Sequence, residues 1–241
     1  HDACERTFTS TEPMSGNVGA GTGATVGKVC GMERAMKGGI GYAAAKLGDL
    51  VVGAVVVVNA FGNVYDRQGR ALGGAMDAGR EHILDACQLM YDQYEGHSES
   101  KPLLGEYATV SVGDEPLQDS SSQREAVLGM EKGNTTIGAI VTNATFHKGE
   151  LTKIAMMATN GYARSIRPVG TLSDGDTIYA FSVTESDILA DGDAKIVADV
   201  NVVGTLAAEL MSEAIEDAMH ASRLDNSEFL ANILDLHEVK M

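Results

Sequence analysis

Two runs of small and β-branched residues, 39–46 and 50–58, place the strongest limit on how this chain folds. A short turn around Gly48 and Asp49 separates them, and polar and glycine residues follow the second run. This pattern is typical of buried strands with a tight turn between them. The longest apolar stretch is about half of what a bilayer span needs. We therefore predict two neighbouring strands and no membrane-spanning segment.

The rest of the chain alternates between helix and strand patterns. The predicted elements are a helix over 81–94, a strand over 135–142, a helix with its apolar face at 151–162 that ends near Pro168, a strand over 178–183 and an amphipathic helix over 202–218. Between them, residues 96–132 are rich in Ser, Asp, Glu and Gln, and we interpret them as an exposed, mobile connector. The fold class predicted is mixed α/β.

Composition and charge exclude several classes of protein. The 241 residues are 44% hydrophobic and 22% charged, as in ordinary globular domains. A net charge of −16 repels phosphate backbones and anionic lipid, so neither nucleic acid nor a membrane is expected as a partner. The three cysteines form no CxxC pair, which indicates neither a zinc site nor a disulfide framework. We expect a reducing compartment, the cytoplasm, and no metal or organic cofactor.

A glycine-rich run at 16–28 first suggests phosphate binding. Its spacing fails the Walker pattern, because Thr22 and Val29 stand where that motif needs Gly and Ser or Thr. A dinucleotide fingerprint lacks the strand that should precede it. On spacing alone we favour a tight turn where backbones approach closely, with Lys28 as a solvated amine. Nucleotide binding stays open as the less favoured interpretation.

An Asn-Thr junction lies between the polar connector and the strand predicted to follow it. If the chain breaks between Asn134 and Thr135, Thr135 gains a free α-amine whose ordinary pKa of about 7.7–8.0 leaves much of it neutral. That amine can act as base for the threonine's own hydroxyl, the threonine variant of nucleophilic catalysis. The alternatives are a polar strand start and a chance glycosylation sequon at 134–136.

Two carboxylates flank a glycine just before the strand predicted at 178–183. Asp174, Gly175 and Asp176 suit an Asp-Gly turn, which is the simpler interpretation. If both carboxylates faced one pocket, each would raise the other's pKa, and one could hold a proton for acid-base work.

Taken together, these stretches resemble the L-aminopeptidase/D-esterase family of self-cleaving hydrolases, which includes β-aminopeptidases and the nylon-oligomer hydrolase. The matching segments occur in one order along the chain. They are 19–28, 55–62, 133–137, 141–143, 166–168 and 174–177.

The resemblance implies a fold, an assembly and a site. The fold is an αββα-type sandwich of two β-sheets covered by helices, as in ornithine acetyltransferase. Self-cleavage at Asn134-Thr135 would divide one domain into an α-chain part, 1–134, and a β-chain, 135–241, in a homo-oligomer such as a tetramer of processed protomers. Thr135 matches the nucleophile and Asn59 the side-chain donor to the oxyanion. Lys28 matches a lysine near the nucleophile, and Asp174 and Asp176 match the acidic pair.

The chain departs from this family in two ways. The β-aminopeptidases have Ser-Gly-Glu where this chain has 174–176, so a preference for β-amino acids is not carried over, and the nylon-oligomer hydrolase branch fits better. Family members also have an N-terminal segment ahead of His1, which we expect as a missing part or separate fragment of the same protein. The function implied is hydrolysis of short peptides or related amides such as aminohexanoate oligomers. The alternatives are an acyl transferase like ornithine acetyltransferase and a non-catalytic anion-binding relative.

Overall fold

The computed structural model describes residues 13–95, 134–183 and 196–231. Its strands are β1 (Thr25–Val26), β2 (Met36–Lys37), β3 (Gly39–Leu47), β4 (Leu50–Val58), β5 (Asn63–Tyr65), β6 (Ala71–Gly73), β7 (Ile137–Thr142), β8 (Ile166–Arg167) and β9 (Thr177–Ser182). Its helices are α1 (Ala86–Glu95), α2 (Lys148–Ser165) and α3 (Val200–Ala221). The largest sheet has the strand order β3-β4-β7-β9, and β6-β5-β8 and β1-β2 form smaller sheets. The mixed α/β class predicted from the sequence is confirmed.

The four-stranded sheet forms around the hairpin of β3 and β4. The two strands pair antiparallel from Gly39 opposite Val58 to Leu47 opposite Leu50, with Gly48 at positive φ in the turn. Side chains of β4 alternate between buried and more exposed positions, because successive residues of a strand point to opposite faces. The hairpin predicted from the sequence is therefore present, with β3 one residue longer.

The helices α2 and α3 cover one face of this sheet. Asp199 caps α3 by accepting from the N–H groups of Asn201 and Val202, and His147 and Glu150 form a capping box at the start of α2. The buried side chains between the helices and the sheet form the main core. They include Val52, Val56, Ile140, Ile154, Met211 and Ile215.

The opposite face of the sheet carries apolar side chains that the described residues leave exposed. Tyr179 is 56% exposed and stacks on Phe181, with the two ring centroids 6.5 Å apart. Ile137, Val141 and Val51 continue the same apolar face across β7 and β4. Sheets ordinarily bury such a face against a second layer.

The sheet topology brings three strand ends to one edge. β7 runs antiparallel to β4, with Ile137 opposite Val57, and parallel to β9, with Ile137 opposite Thr177. The end of β4 and the beginnings of β7 and β9 therefore lie side by side. The residues just outside these ends are the ones that the sequence singled out.

Several predicted boundaries need correction. The helix predicted over 81–94 begins only at Ala86, because 81–85 form a bend and an isolated bridge between Met76 and Ile83. The strand predicted from Thr135 begins at Ile137, since the two preceding residues make contacts with the neighbouring loop instead. The connector at 96–132 lies outside the described residues. In the part of the chain that is described, no helix has both the length and the apolar character needed to cross a membrane.

Gly41 allows α3 to lie directly on β3, and we expect Gly41→Ala to destabilise the fold by about 3 kcal/mol. An added Cβ would lie 2.2 Å from the Ala214 carbonyl oxygen and 2.3 Å from the Ala218 nitrogen, and helix backbone does not yield easily. Gly53→Ala on β4 is the matched control, because its Cβ would meet nothing closer than 3.9 Å. Urea unfolding measures the free energy of unfolding of both variants against that of the unsubstituted chain. Equal stabilities would contradict the packing argument.

Candidate active site

Thr135 lies at the shared strand edge, between the end of β4 and the beginning of β9. Its N–H donates to the Asn59 carbonyl oxygen at 3.0 Å, and its hydroxyl donates to the Asn134 carbonyl oxygen at 2.6 Å. Asn134 is buried, whereas Thr135 is only half-buried. The hydroxyl is therefore held at the carbonyl of the preceding peptide bond, on the side of the chain that keeps some access to solvent.

Lys28 and Asn59 form a polar pair beside Thr135. The Lys28 ammonium donates to the Asn59 side-chain oxygen at 2.7 Å and to its carbonyl oxygen at 3.1 Å. The Thr25 N–H donates to the same side-chain oxygen at 3.0 Å. Asn59 is thus fixed through its acceptor atom, and its carbonyl oxygen accepts from both Thr135 and Lys28. Lys28 is not the solvated amine that spacing alone favoured, because folding turns its ammonium inward.

Burial and charge act on Lys28 in opposite directions. Burial lowers the pKa of Lys28 to about 8, while the nearby carboxylates of Asp174 and Asp176 raise it and so offset part of that effect. A lysine with a pKa near 8 changes its charge in the working pH range of most enzymes. Its ammonium is the positive charge that faces the two carboxylates.

The carboxylate of Asp174 links the loop before β9 to the segment that follows β4. One of its oxygens accepts from the Phe61 N–H at 3.1 Å, and the other accepts from the Thr171 hydroxyl at 2.8 Å. Asp174 also bridges Asn134 in parallel register, which extends the ladder between β7 and β9. The turn itself lies at residues 172 and 173, closed by the Asp174 N–H that donates to the Thr171 carbonyl oxygen, so the Asp-Gly turn favoured from the sequence is wrong and Asp174 lies in the bridge instead.

Asp176 holds the backbone on the other side of Thr135. Its carboxylate accepts from the Thr136 N–H at 2.8 Å and from the Gly170 N–H at 3.2 Å. Burial raises the pKa of Asp176, and the charge of Asp174 raises it further, although the backbone donors act against both. Mutual repulsion, the cause expected from the sequence, contributes less than burial. A raised pKa suits Asp176 to hold a proton.

A buried tyrosine lies beneath this part of the site. The Tyr162 hydroxyl of α2 is 3.4 Å from the carbonyl oxygens of both Thr136 and Thr177. Burial and the charge of Asp176 raise the pKa of Tyr162, so the phenol stays protonated as a donor. Sequence patterning identified Tyr162 only as part of a helix face, since its second role depends on where the strands end.

The glycine loop presents carbonyl oxygens, not N–H groups, to its charged neighbour. The Lys37 ammonium donates to the carbonyl oxygens of Gly21, Ala24 and Gly38 at 2.7, 2.9 and 2.7 Å. A phosphate-binding loop needs the reverse arrangement, with N–H groups directed at the ligand. The N–H groups of Gly21 and Ala24 already donate within the loop. This geometry disfavours the nucleotide and anion-binding interpretations.

The structure brings together all six residues that the sequence proposed for the site. Lys28 and Asn59 lie on one side of Thr135, and Asn134, Asp174 and Asp176 lie on the other. Residues that contribute only backbone groups were missed, notably Phe61 and Gly175. Over the ranges described, no group of three or more His, Cys, Asp or Glu side chains is arranged to hold a metal ion. The cluster therefore holds a hydroxyl, a lysine and two carboxylates beside the peptide bond between Asn134 and Thr135.

Comparison with known proteins finds the chain similar to proteins named as hydrolases and aminopeptidases. The sequence model of Peptidase family S58 matches residues 1–227. The 6-aminohexanoate-oligomer endohydrolase of Paenarthrobacter ureafaciens is 32% identical over 209 residues, which are 84% of this chain and 50% of that protein. A Mycobacterium leprae protein named as an uncharacterised aminopeptidase is 30% identical over 213 residues, 86% of this chain and 49% of that one. The chain spans about half the length of these curated relatives.

The chain was also compared with solved structures. The L-aminopeptidase D-Ala-esterase/amidase of Ochrobactrum anthropi, described as a variant of the Ntn hydrolase fold, matches 95% of this chain and 55% of its own. The TM-score is 0.49 and the sequence identity is 19%.

Proposed function

The chain belongs to Peptidase family S58, and on that premise we propose that it is part of an N-terminal-threonine amide hydrolase that cleaves itself between Asn134 and Thr135. The observation that carries this proposal is the position of the Thr135 hydroxyl, 2.6 Å from the carbonyl oxygen of the preceding residue. Near this hydroxyl lie a lysine and two carboxylates, groups that can move the protons of an acyl transfer.

Self-cleavage proceeds by an N-to-O shift. Thr135 Oγ1 bonds to the Asn134 carbonyl carbon, the bond from that carbon to the Thr135 nitrogen breaks, and the hydroxyl proton ends on the nitrogen. Water then hydrolyses the resulting ester, which leaves a carboxylate on Asn134 and a free hydroxyl and α-amine on Thr135. The new amine remains beside the Asn59 carbonyl oxygen, its partner in the uncut chain.

Hydrolysis of a substrate amide reuses the same hydroxyl. The neutral α-amine of Thr135 takes the hydroxyl proton as Oγ1 attacks the substrate carbonyl carbon, and it passes a proton to the leaving amine. Asn59 holds the developing oxyanion, a role that elsewhere accounts for roughly 3–4 kcal/mol of barrier lowering. Water then attacks the acyl carbon and gives a proton to the α-amine, the bond from that carbon to Oγ1 breaks, and the amine returns the proton to Oγ1, which releases the free acid. Lys28, Asp174 and Asp176 set the charge around the amine and help to move these protons.

The substrate class we propose is a short peptide or a related amide such as an aminohexanoate oligomer. Two relatives support it through their names, one an aminohexanoate-oligomer hydrolase and one an aminopeptidase. The proposal also includes assembly of processed protomers into a homo-oligomer such as a tetramer. It further includes an additional N-terminal segment or fragment and a cytoplasmic location. Cys30 and Cys87 are both free thiols, which suits a reducing compartment.

Intact-mass measurement of the folded protein tests the proposal directly. We expect two fragments that end at Asn134 and begin at Thr135, and hydrolysis of aminoacyl anilides, short peptides or aminohexanoate oligomers by the processed form. The panel is run with and without ornithine as acyl acceptor. A single uncut mass in folded protein would overturn self-cleavage, and an acyl-ornithine product in place of free acid would assign the site to acyl transfer.

A further inference from the structure

A fixed hydrogen-bond donor lies on the carbonyl oxygen of the bond proposed to break. The Gly175 N–H donates to the Asn134 carbonyl oxygen at 2.9 Å, the same oxygen that accepts from the Thr135 hydroxyl. The contact belongs to the bridge between Asn134 and Asp174 that continues the pairing of β7 with β9. The sheet therefore holds this donor in place before any reaction begins.

Gly175 has no side chain in the space that the Thr135 hydroxyl occupies. A Cβ on Gly175 would lie 2.6 Å from Thr135 Oγ1 and 3.5 Å from its Cγ2. The φ angle of Gly175 is not in the positive region, so its backbone conformation does not by itself require glycine. Room for the Thr135 hydroxyl is the reason that a side chain is excluded.

We propose that Gly175 is a catalytic residue of the self-cleavage step, with its N–H acting as an oxyanion donor to Asn134 and its bare Cα leaving room for Thr135. This inference rests on the proposed function. When Oγ1 attacks, negative charge develops on the Asn134 carbonyl oxygen, and an N–H already aimed at that atom stabilises the charge without reorganisation.

Replacing the Gly175 amide with an ester isolates the N–H. Cell-free translation with glycolic acid at position 175 removes the donor and adds no side chain. We expect self-cleavage to slow by roughly 10²-fold, as when one oxyanion donor is lost. The matched control is the α-hydroxy acid analogue of threonine at position 177, because the Thr177 N–H donates to the Thr136 carbonyl oxygen at 3.1 Å in the same pairing. The control is expected to change the rate less than about threefold, since it removes only an ordinary hydrogen bond.

The outcomes separate the inference from its premise. If the protein with the ester at position 175 cuts itself between Asn134 and Thr135 at the wild-type rate, the role of Gly175 is overturned while self-cleavage stands. The same conclusion follows if the two ester substitutions slow self-cleavage equally. A wild-type protein that never cuts itself would overturn the proposed function and this inference with it. Gly175→Ala keeps the N–H but fills the space, and we expect it to stay uncut while folded by circular dichroism. Wild-type cleavage of this variant would overturn the steric part.

Discussion

Replacing Thr135 with alanine leaves the chain uncut and lowers amide hydrolysis by at least about 10⁴-fold, because the variant has neither an attacking oxygen nor a new terminal amine. The fold should persist, since the Thr135 N–H that binds the Asn59 carbonyl belongs to the backbone. Intact mass and the rate of anilide hydrolysis measure the two effects separately.

Thr135→Ser is the matched control for this prediction. It keeps the hydroxyl that contacts the Asn134 carbonyl oxygen and removes only a methyl group. We expect Thr135→Ser to process itself and to retain measurable turnover. Cleavage of Thr135→Ala at the same bond, or turnover comparable to wild type, would show that another residue is the nucleophile.

Lys28→Met is expected to lower hydrolysis by roughly 10³-fold near pH 8 and to remove the alkaline limb of the pH profile. Lys28 has a pKa of about 8 in the fold and is protonated below it, so its charge opposite Asp174 and Asp176 is lost as the pH rises further. The α-amine of Thr135, with an ordinary pKa of about 7.7–8.0, must be neutral and gives the acid limb. Without the neighbouring ammonium the pKa of this amine rises, so the acid limb moves to higher pH.

The measurement is kcat/KM for an aminoacyl anilide from about pH 6 to about pH 10. The proteins compared must contain the same fraction of cleaved chain, as determined by intact mass. Lys37→Met is the control, because burial lowers the pKa of Lys37 to about 8 as well, yet its ammonium binds loop carbonyls away from Thr135. The alkaline limb should survive in Lys37→Met. Loss of that limb in Lys37→Met, or its survival in Lys28→Met, would remove Lys28 from the proposed role.

Local pattern was enough to predict the four strands of the largest sheet and the helices α1, α2 and α3, but not the short strands β1, β2, β5, β6 and β8. The alternation in β4 and the apolar faces of α2 and α3 follow from periods of 2 and 3.6 residues, which depend only on neighbouring residues. The helix over 81–94 failed at its start, where an isolated bridge takes the place of the first turn. Boundaries of this kind depend on partners distant in the chain.

The proposed site also combines features that depend on the residues themselves with features that depend on partners distant in the chain. Its chemistry was predicted only in part from the residues themselves, as at the Asn-Thr junction, whereas Lys28, Asn59 and the pair of aspartates were assigned to the site through the resemblance to a known family. The orientation of Lys28 and the contact of Gly175 with Asn134 could not be predicted, since both depend on which strand lies beside which. Side-chain periodicity specifies the face of a strand but not its neighbour or register. Only the parallel pairing of β7 with β9, beside the end of β4, brings the Gly175 N–H to the carbonyl oxygen of Asn134 that also accepts from the Thr135 hydroxyl.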